Sequence, residues 1–184
     1  MKQLSLLSTL FLSAILICCA SPSKDKPVIK ARAVTDSCVT NLPHQNRYVN
    51  DFTSLFAEDQ RWFLDSLISE NEKNTTNQIA VVTIDSNTLG KCLILDFARA
   101  LGNEWGIGKK EKNNGIAIVI CVEKKQIGIA TGDGIEKILS NEEIKSIIDN
   151  IITPEYKKGN YFEGTKAGLK AIFEKTTLNT EIKF

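Results

Sequence analysis

The chain has 184 residues, a formal net charge of +1, 42% hydrophobic residues and 24% charged ones. That balance excludes the basic footprint of a nucleic-acid binder and an acidic interaction tail, and the length suits one domain with a sizeable core after a targeting segment. The single histidine, His44, removes His-based metal sites and Ser-His-Asp triads.

Residues 1–19 read as an export signal. Lys2 supplies one positive charge, an apolar run extends from Leu4 to Ile17, and Cys18-Cys19-Ala20-Ser21 closes it. The run falls short of the roughly 20 apolar residues of a membrane span and has the charged start and small-residue end of a signal. It resembles a bacterial lipoprotein signal peptide with Cys19 as the lipid acceptor, because small Cys18 precedes Cys19 whereas bulky Ile17 precedes Cys18. A cleaved soluble signal and an uncleaved anchor are the alternatives. The expected location is the cell envelope, lipid-anchored to a membrane on the periplasmic or outer-membrane side. Ala20 stands where some bacteria place the Asp that marks inner-membrane retention, which favours the outer membrane. Residues 20–47 are polar and punctuated by Pro22, Pro27 and Pro43, as in a flexible tether.

The folded body begins near Tyr48. A helix is expected from about Ala57 to Lys73, with Glu58 and Asp59 in its first turn and Leu64, Leu67 and Ile68 on its apolar face. Gln78 to Ile84 is rich in β-branched residues and reads as a strand. Leu93 to Trp105 reads as a second helix with Ile94, Phe97, Ala98 and Leu101 on one face. Ile116 to Val122 is continuously apolar, the mark of a strand covered on both sides. Gln126 to Thr131 alternates and follows a short polar turn, so it should pair antiparallel with that strand. Ser140 and Glu143 have capping-box spacing. Behind them Ile144, Ile147, Ile148, Ile151 and Ile152 define an amphipathic helix that Thr153-Pro154 should end. A last helix runs from about Tyr161 to Lys175, before a tail at 178–184. Alternating helices and strands with one hairpin predict an α/β fold, a three-layer α/β/α Rossmann-like sandwich on a small mixed β-sheet. Outside the signal, Cys38, Cys92 and Cys121 match no zinc pattern but allow one disulfide.

Six motifs occur in order: Val49-Asn50-Asp51, Asp96-Phe97-Ala98, Trp105-Gly106-Ile107-Gly108, Asn113-Asn114-Gly115, Gly132-Asp133-Gly134-Ile135-Glu136, and the pair Pro154-Glu155-Tyr156 with Gly159-Asn160-Tyr161-Phe162-Glu163-Gly164. Together they resemble the TPM domain, the family of the thylakoid acid phosphatase and the photosystem II repair protein, over residues 48–177. The resemblance implies a Rossmann-like sandwich. Some members are reported as phosphatases, some bind calcium or other divalent cations, and many bacterial members have no assigned activity.

Ligands of such sheets gather beyond the carboxyl ends of strands, and hard cations take oxygen ligands from acids and amides. The expectation is that Asp51, Asp96 and Glu136, with Asn113 or Asn114, meet around one Ca²⁺ or Mg²⁺. Each has a structural reading as well: Asp51 as a turn cap, Asp96 as a solvated helix residue, Asn113-Asn114 as a tight turn. Trp105 is expected to pack a helix end on the sheet. Phosphatase signatures are missing. Neither Cys92 nor Cys121 has the Arg of a Cys-x₅-Arg cradle, no Asp-x-Asp pair occurs, and the Gly102–Lys109 stretch lacks P-loop spacing. Hydrolysis would have to be metal-assisted, with Asp51 the candidate base. The favoured function is a membrane-tethered domain that binds a divalent cation and acts with an envelope protein partner in assembly, repair or quality control. A metal-assisted acid phosphatase is the alternative, and a scaffold without a site is the third possibility.

Overall fold

The computed structural model describes residues 42–181, with side chains to 177; the expected signal segment, lipid acceptor Cys19 and Cys38 lie outside the described residues. The element order is β1 (Val49–Asp51), α1 (Glu58–Thr75), β2 (Gln78–Thr83), α2 (Ser86–Leu89), α3 (Ile94–Glu104), β3 (Gly115–Cys121), β4 (Gln126–Thr131), α4 (Asp133–Glu136), α5 (Asn141–Ile147), a π-helical segment (Ile148–Ile152), α6 (Thr153–Lys157) and α7 (Tyr161–Glu181). The four strands form one sheet in the order β1-β2-β3-β4. The first three are parallel, and β4 returns antiparallel through the hairpin. This is the mixed α/β sheet the sequence predicts.

Both faces of the sheet are apolar, and the two-residue period of the strands divides the core in two. Ile79, Val81, Ile116, Ile118 and Ile120 face one side, where Leu64 and Ile68 of α1 and Leu169 and Ile172 of α7 cover them. Val82, Ala117, Val119 and Cys121 face the other, under Phe97, Ala98 and Leu101 of α3. Every residue of β3 is buried, which is why its sequence is an unbroken apolar run.

The crossovers decide where the sheet can hold a ligand. Strands running the same way in the order β1-β2-β3 carry both connecting helices on one face if both crossovers are right-handed. Here α1 and α3 lie on opposite faces, so the two crossovers have opposite hands. The loop leaving β1 and the loop leaving β2 therefore diverge towards opposite faces, the arrangement beside which ligands of such sheets gather.

Two local readings need correction. The isoleucine-rich helix does not stop at Thr153-Pro154. Its α register ends at Ile147, the chain widens to a π turn over Ile148–Ile152, and helix resumes with Pro154 in the first turn of α6. The π register, in which the Thr153 N–H reaches back to the Ile148 carbonyl, accommodates the proline that follows it and has no N–H to donate. The end of the expected tether is also engaged by the body. Trp105 Nε1 donates to the Pro43 carbonyl at 2.8 Å, and the Asn50 side chain accepts from the Asn46 N–H and donates to the Arg47 carbonyl. Trp105 thus packs as expected and also fixes the point where the chain enters the domain.

Candidate functional site

At the carboxyl ends of the parallel strands, Asp51 ends β1 and lies in register with Thr83 at the end of β2. Its carboxylate is spent on the fold. Oδ1 accepts from the Leu55 N–H at 2.9 Å and from the Thr83 hydroxyl at 2.5 Å, Oδ2 accepts from the Phe56 N–H at 2.9 Å, and Arg61 lies 3.8 Å away. The side chain is 1% exposed. Asp51 closes the β1–α1 loop, and Thr83 passes the link on by accepting from the Thr53 N–H. The cleft beside it, about 390 Å³, is lined by Arg47 and Arg61 together with Asp51 and Glu58.

Besides Glu58, which lines that cleft, Asp85 and Glu123 stand at this end of the sheet. Asp85 leaves β2 and caps the single-turn helix α2, accepting from the Thr88 N–H at 2.7 Å. Glu123 leaves β3 and accepts from the Ser86 N–H at 3.0 Å. Hydrogen bonds from Thr88 hold the Asp85 carboxyl below its ordinary value, and those from Ser86 do the same for Glu123, against a smaller opposing repulsion from Asp85. Two carboxylates thus flank one turn, and the Thr88 and Ser86 hydroxyls add to the backbone hydrogen bonds on Asp85 and Glu123 respectively.

The five residues expected to form one cation site do not meet. Register places Asp51 level with Thr83 and Ile120, whereas Asn114 directly precedes Gly115, which pairs with Gln78 at the other end. Gly115 to Ile120 is five steps along β3, or roughly 17 Å at about 3.3 Å per residue. Asp96 sits in the first turn of α3 and pairs with Arg99 at 3.3 Å on its own helix surface. Glu136 is exposed in α4, which follows β4 at the asparagine end. Only Asn113, Asn114 and the α4 turn come together, and their contacts are structural. The Asn113 carbonyl accepts from the Gly134 N–H, and Asn113 takes a left-handed φ of 47°. Asn114 is 5% exposed; its oxygen accepts from the Lys109 N–H and its amide donates to the Thr76 carbonyl. A Cβ on Gly134 would lie 1.9 Å from the Lys112 carbonyl oxygen, so this glycine allows two backbones to touch. The motif glycines and asparagines lock turns. Among the described residues no group of three or more His, Cys, Asp or Glu is placed to hold a metal ion.

In sequence Glu123 sits in Glu123-Lys124-Lys125, indistinguishable from any polar hairpin turn. Asp85 was visible as the acid directly after a strand, but nothing in the sequence ranks it above Asp51. The needed signal is topological, since the pairing of β2 with β3 sets which loops lie side by side.

A TPM domain family model matches residues 49–175. Among solved structures, the N-terminal domain of a P. gingivalis protein is 27% identical, with a TM-score of 0.67 over 73% of this chain and 85% of that one. The BA42 protein of the psychrophilic bacterium Bizionia argentinensis (20% identity, TM-score 0.59, 69% and 85% covered) and the N-terminal domain of a Corynebacterium glutamicum protein (12%, 0.54, 74% and 88%) share the fold. No curated protein matches.

Proposed function

The chain belongs to the TPM domain family, and from that premise we propose that it is a non-catalytic binding module of the cell envelope that takes a divalent cation at the carboxyl end of its sheet. The observation that carries this reading is the Asp85–Glu123 pair. Both carboxyls are held below their ordinary values by hydrogen bonds around one turn, Glu123 is exposed and Asp85 half-buried, and carboxylate oxygens are the ligands that Ca²⁺ or Mg²⁺ takes. Backbone carbonyls and water complete the shell. The cation orders the α2 turn and the hairpin end as one surface for an envelope protein partner in assembly, repair or quality control.

The envelope location rests on the signal-like residues 1–19, with lipid on Cys19 and the outer membrane preferred. It agrees with Cys92, which is disulfide-bonded, as suits an oxidising compartment. Among the described residues no helix is long and apolar enough to cross a membrane. The phosphatase alternative is the weaker reading because Asp51, its candidate base, has both oxygens occupied and no exposure to a substrate water.

Calorimetric titration of the mature chain with CaCl₂ and with MgCl₂ tests the cation. The expected result is one site per chain, weakened at least tenfold in Asp85→Asn and in Glu123→Gln. No heat with either salt, together with no rise in melting temperature, overturns the proposal. Mass spectrometry of the mature N-terminus tests the anchor: a diacylated Cys19 is expected, and an unmodified terminus contradicts it.

A further inference from the structure

A second site lies on the other side of the β3–β4 hairpin. A cavity of about 600 Å³ opens between the carboxyl end of β3, the start of β4 and the α6–α7 connection. That volume is within the range of small-molecule sites. Its inner wall is apolar, from Ile120, Val122 and Ile127, and its rim carries Lys125, Lys157 and Lys158 with no acidic residue in the lining. Lys158 is drawn aside to Glu155 at 2.7 Å. Among the described residues Lys125 and Lys157 have no ion-pair partner. Charged ammonium groups at the mouth of an apolar pocket are complementary to one chemical type: an anionic group on an apolar body.

The wall is also pre-formed. Tyr156 packs edge-to-face on Tyr161 with centroids 5.1 Å apart, and its hydroxyl is hydrogen-bonded to Thr165 at 2.7 Å. Burial pushes the Tyr156 phenol far above its ordinary value, so it stays a neutral wall at any working pH. Two features set its position. The π turn at Ile148–Ile152 widens the helix just before Thr153–Lys157; such insertions recur at functional sites. Gly164 of α7 lets the Tyr156 ring lie against the helix, since a Cβ there would meet the ring at 2.7 Å.

We propose that the cavity between the β3–β4 hairpin and the α6–α7 connection binds a small amphiphilic organic anion. Lys125 and Lys157 hold the carboxylate, sulfonate or phosphate, and Ile127 and the tyrosine pair hold the body. This site is separate from the Asp85–Glu123 turn and stands whether or not a cation binds there.

The probe pair 8-anilino-1-naphthalenesulfonate and N-phenyl-1-naphthylamine, which differ by the sulfonate, tests it on the mature chain. The sulfonate probe should bind one per chain, and Lys125→Met with Lys157→Met should weaken it about tenfold while the uncharged probe is unaffected. Amide shifts on titration should centre on Gln126, Ile127 and Tyr161. Both lysines are exposed, so the double variant should keep its melting temperature. Competition separates the sources of the anion: soluble 3-phenylpropionate should displace the probe, and phosphatidylglycerol vesicles should not. Equal binding of the two probes, no loss in the double variant, or shifts centred elsewhere overturns the proposal. Displacement by vesicles alone also overturns it, in favour of a lipid surface.

Discussion

Replacing Asp51 separates a structural from a catalytic role. Its two oxygens satisfy the Leu55 and Phe56 N–H groups and the Thr83 hydroxyl in a side chain only 1% exposed. In Asp51→Asn one oxygen becomes an amide that faces the Phe56 N–H donor to donor. One unsatisfied buried donor costs about 1–3 kcal/mol, so about 2 kcal/mol is expected. Asp51→Ala strands all three donors. With water reaching part of the loop, about 3–5 kcal/mol is expected, a large share of the ~5–15 kcal/mol that holds a domain of this size. The assay is urea unfolding of the mature chain at neutral pH with chelator present, reading the midpoint at constant slope. A cycle with Thr83→Val should show coupling of about 1 kcal/mol, because the two side chains share one hydrogen bond. A change within about 0.5 kcal/mol of the parent for Asp51→Asn would refute the reasoning. The same stability loss means that phosphomonoesterase activity lost in this variant would have to be corrected for unfolded chain before Asp51 was assigned a chemical role.

Gly134→Ala should cost about 3 kcal/mol or more in the same assay, because the new methyl meets the Lys112 carbonyl rather than a side chain that can swing away; an unchanged midpoint would show that the two turns do not touch. Trp105→Phe removes the hydrogen bond to Pro43 and should cost about 1 kcal/mol, with faster amide exchange at residues 44–47; unchanged exchange would place the entry point elsewhere. Glu143 gives a pH dependence. The Lys175 ammonium, then the Ser140 N–H, hold its carboxyl below the ordinary value, so its contribution is present above the unfolded value of about 4.3 and is lost as pH falls through the folded one. Because the pair is exposed, the effect stays below about 1 kcal/mol. Glu143→Gln should flatten the acid limb of the midpoint-against-pH curve, and an unaltered limb would count against the pairing.

The periodic elements were legible because local pattern and tertiary role coincide in them. The continuous apolar run of β3 reports burial on two faces, and the Ser140–Glu143 box reports a helix start that the structure keeps, with the Ser140 hydroxyl accepting from the Glu143 N–H. The edge strand β1 has only three residues, too few for a period to declare itself. The continuation past Pro154 depends on the π turn, which no proline rule anticipates. The site was less legible still. Asp51, Asn113 and Asn114 stand out in sequence because turns and buried caps need those residue types, and the same demand draws attention away from open acids such as Glu123. Which acids share an edge of the sheet is set by strand register and by the opposed crossovers, both of which arise only when distant segments pair.

The proposed cation site lies at the carboxyl ends of β2 and β3, the two central strands. A titration of the isotopically labelled mature chain with Ca²⁺, followed by amide shifts, tests it most directly. The account predicts saturable shifts led by Ser86 and Thr88, whose N–H groups bond Glu123 and Asp85, with Asn114 and Glu136 unmoved. Shifts led by Asn113, Asn114 and Glu136, or none at all up to millimolar Ca²⁺, would contradict it.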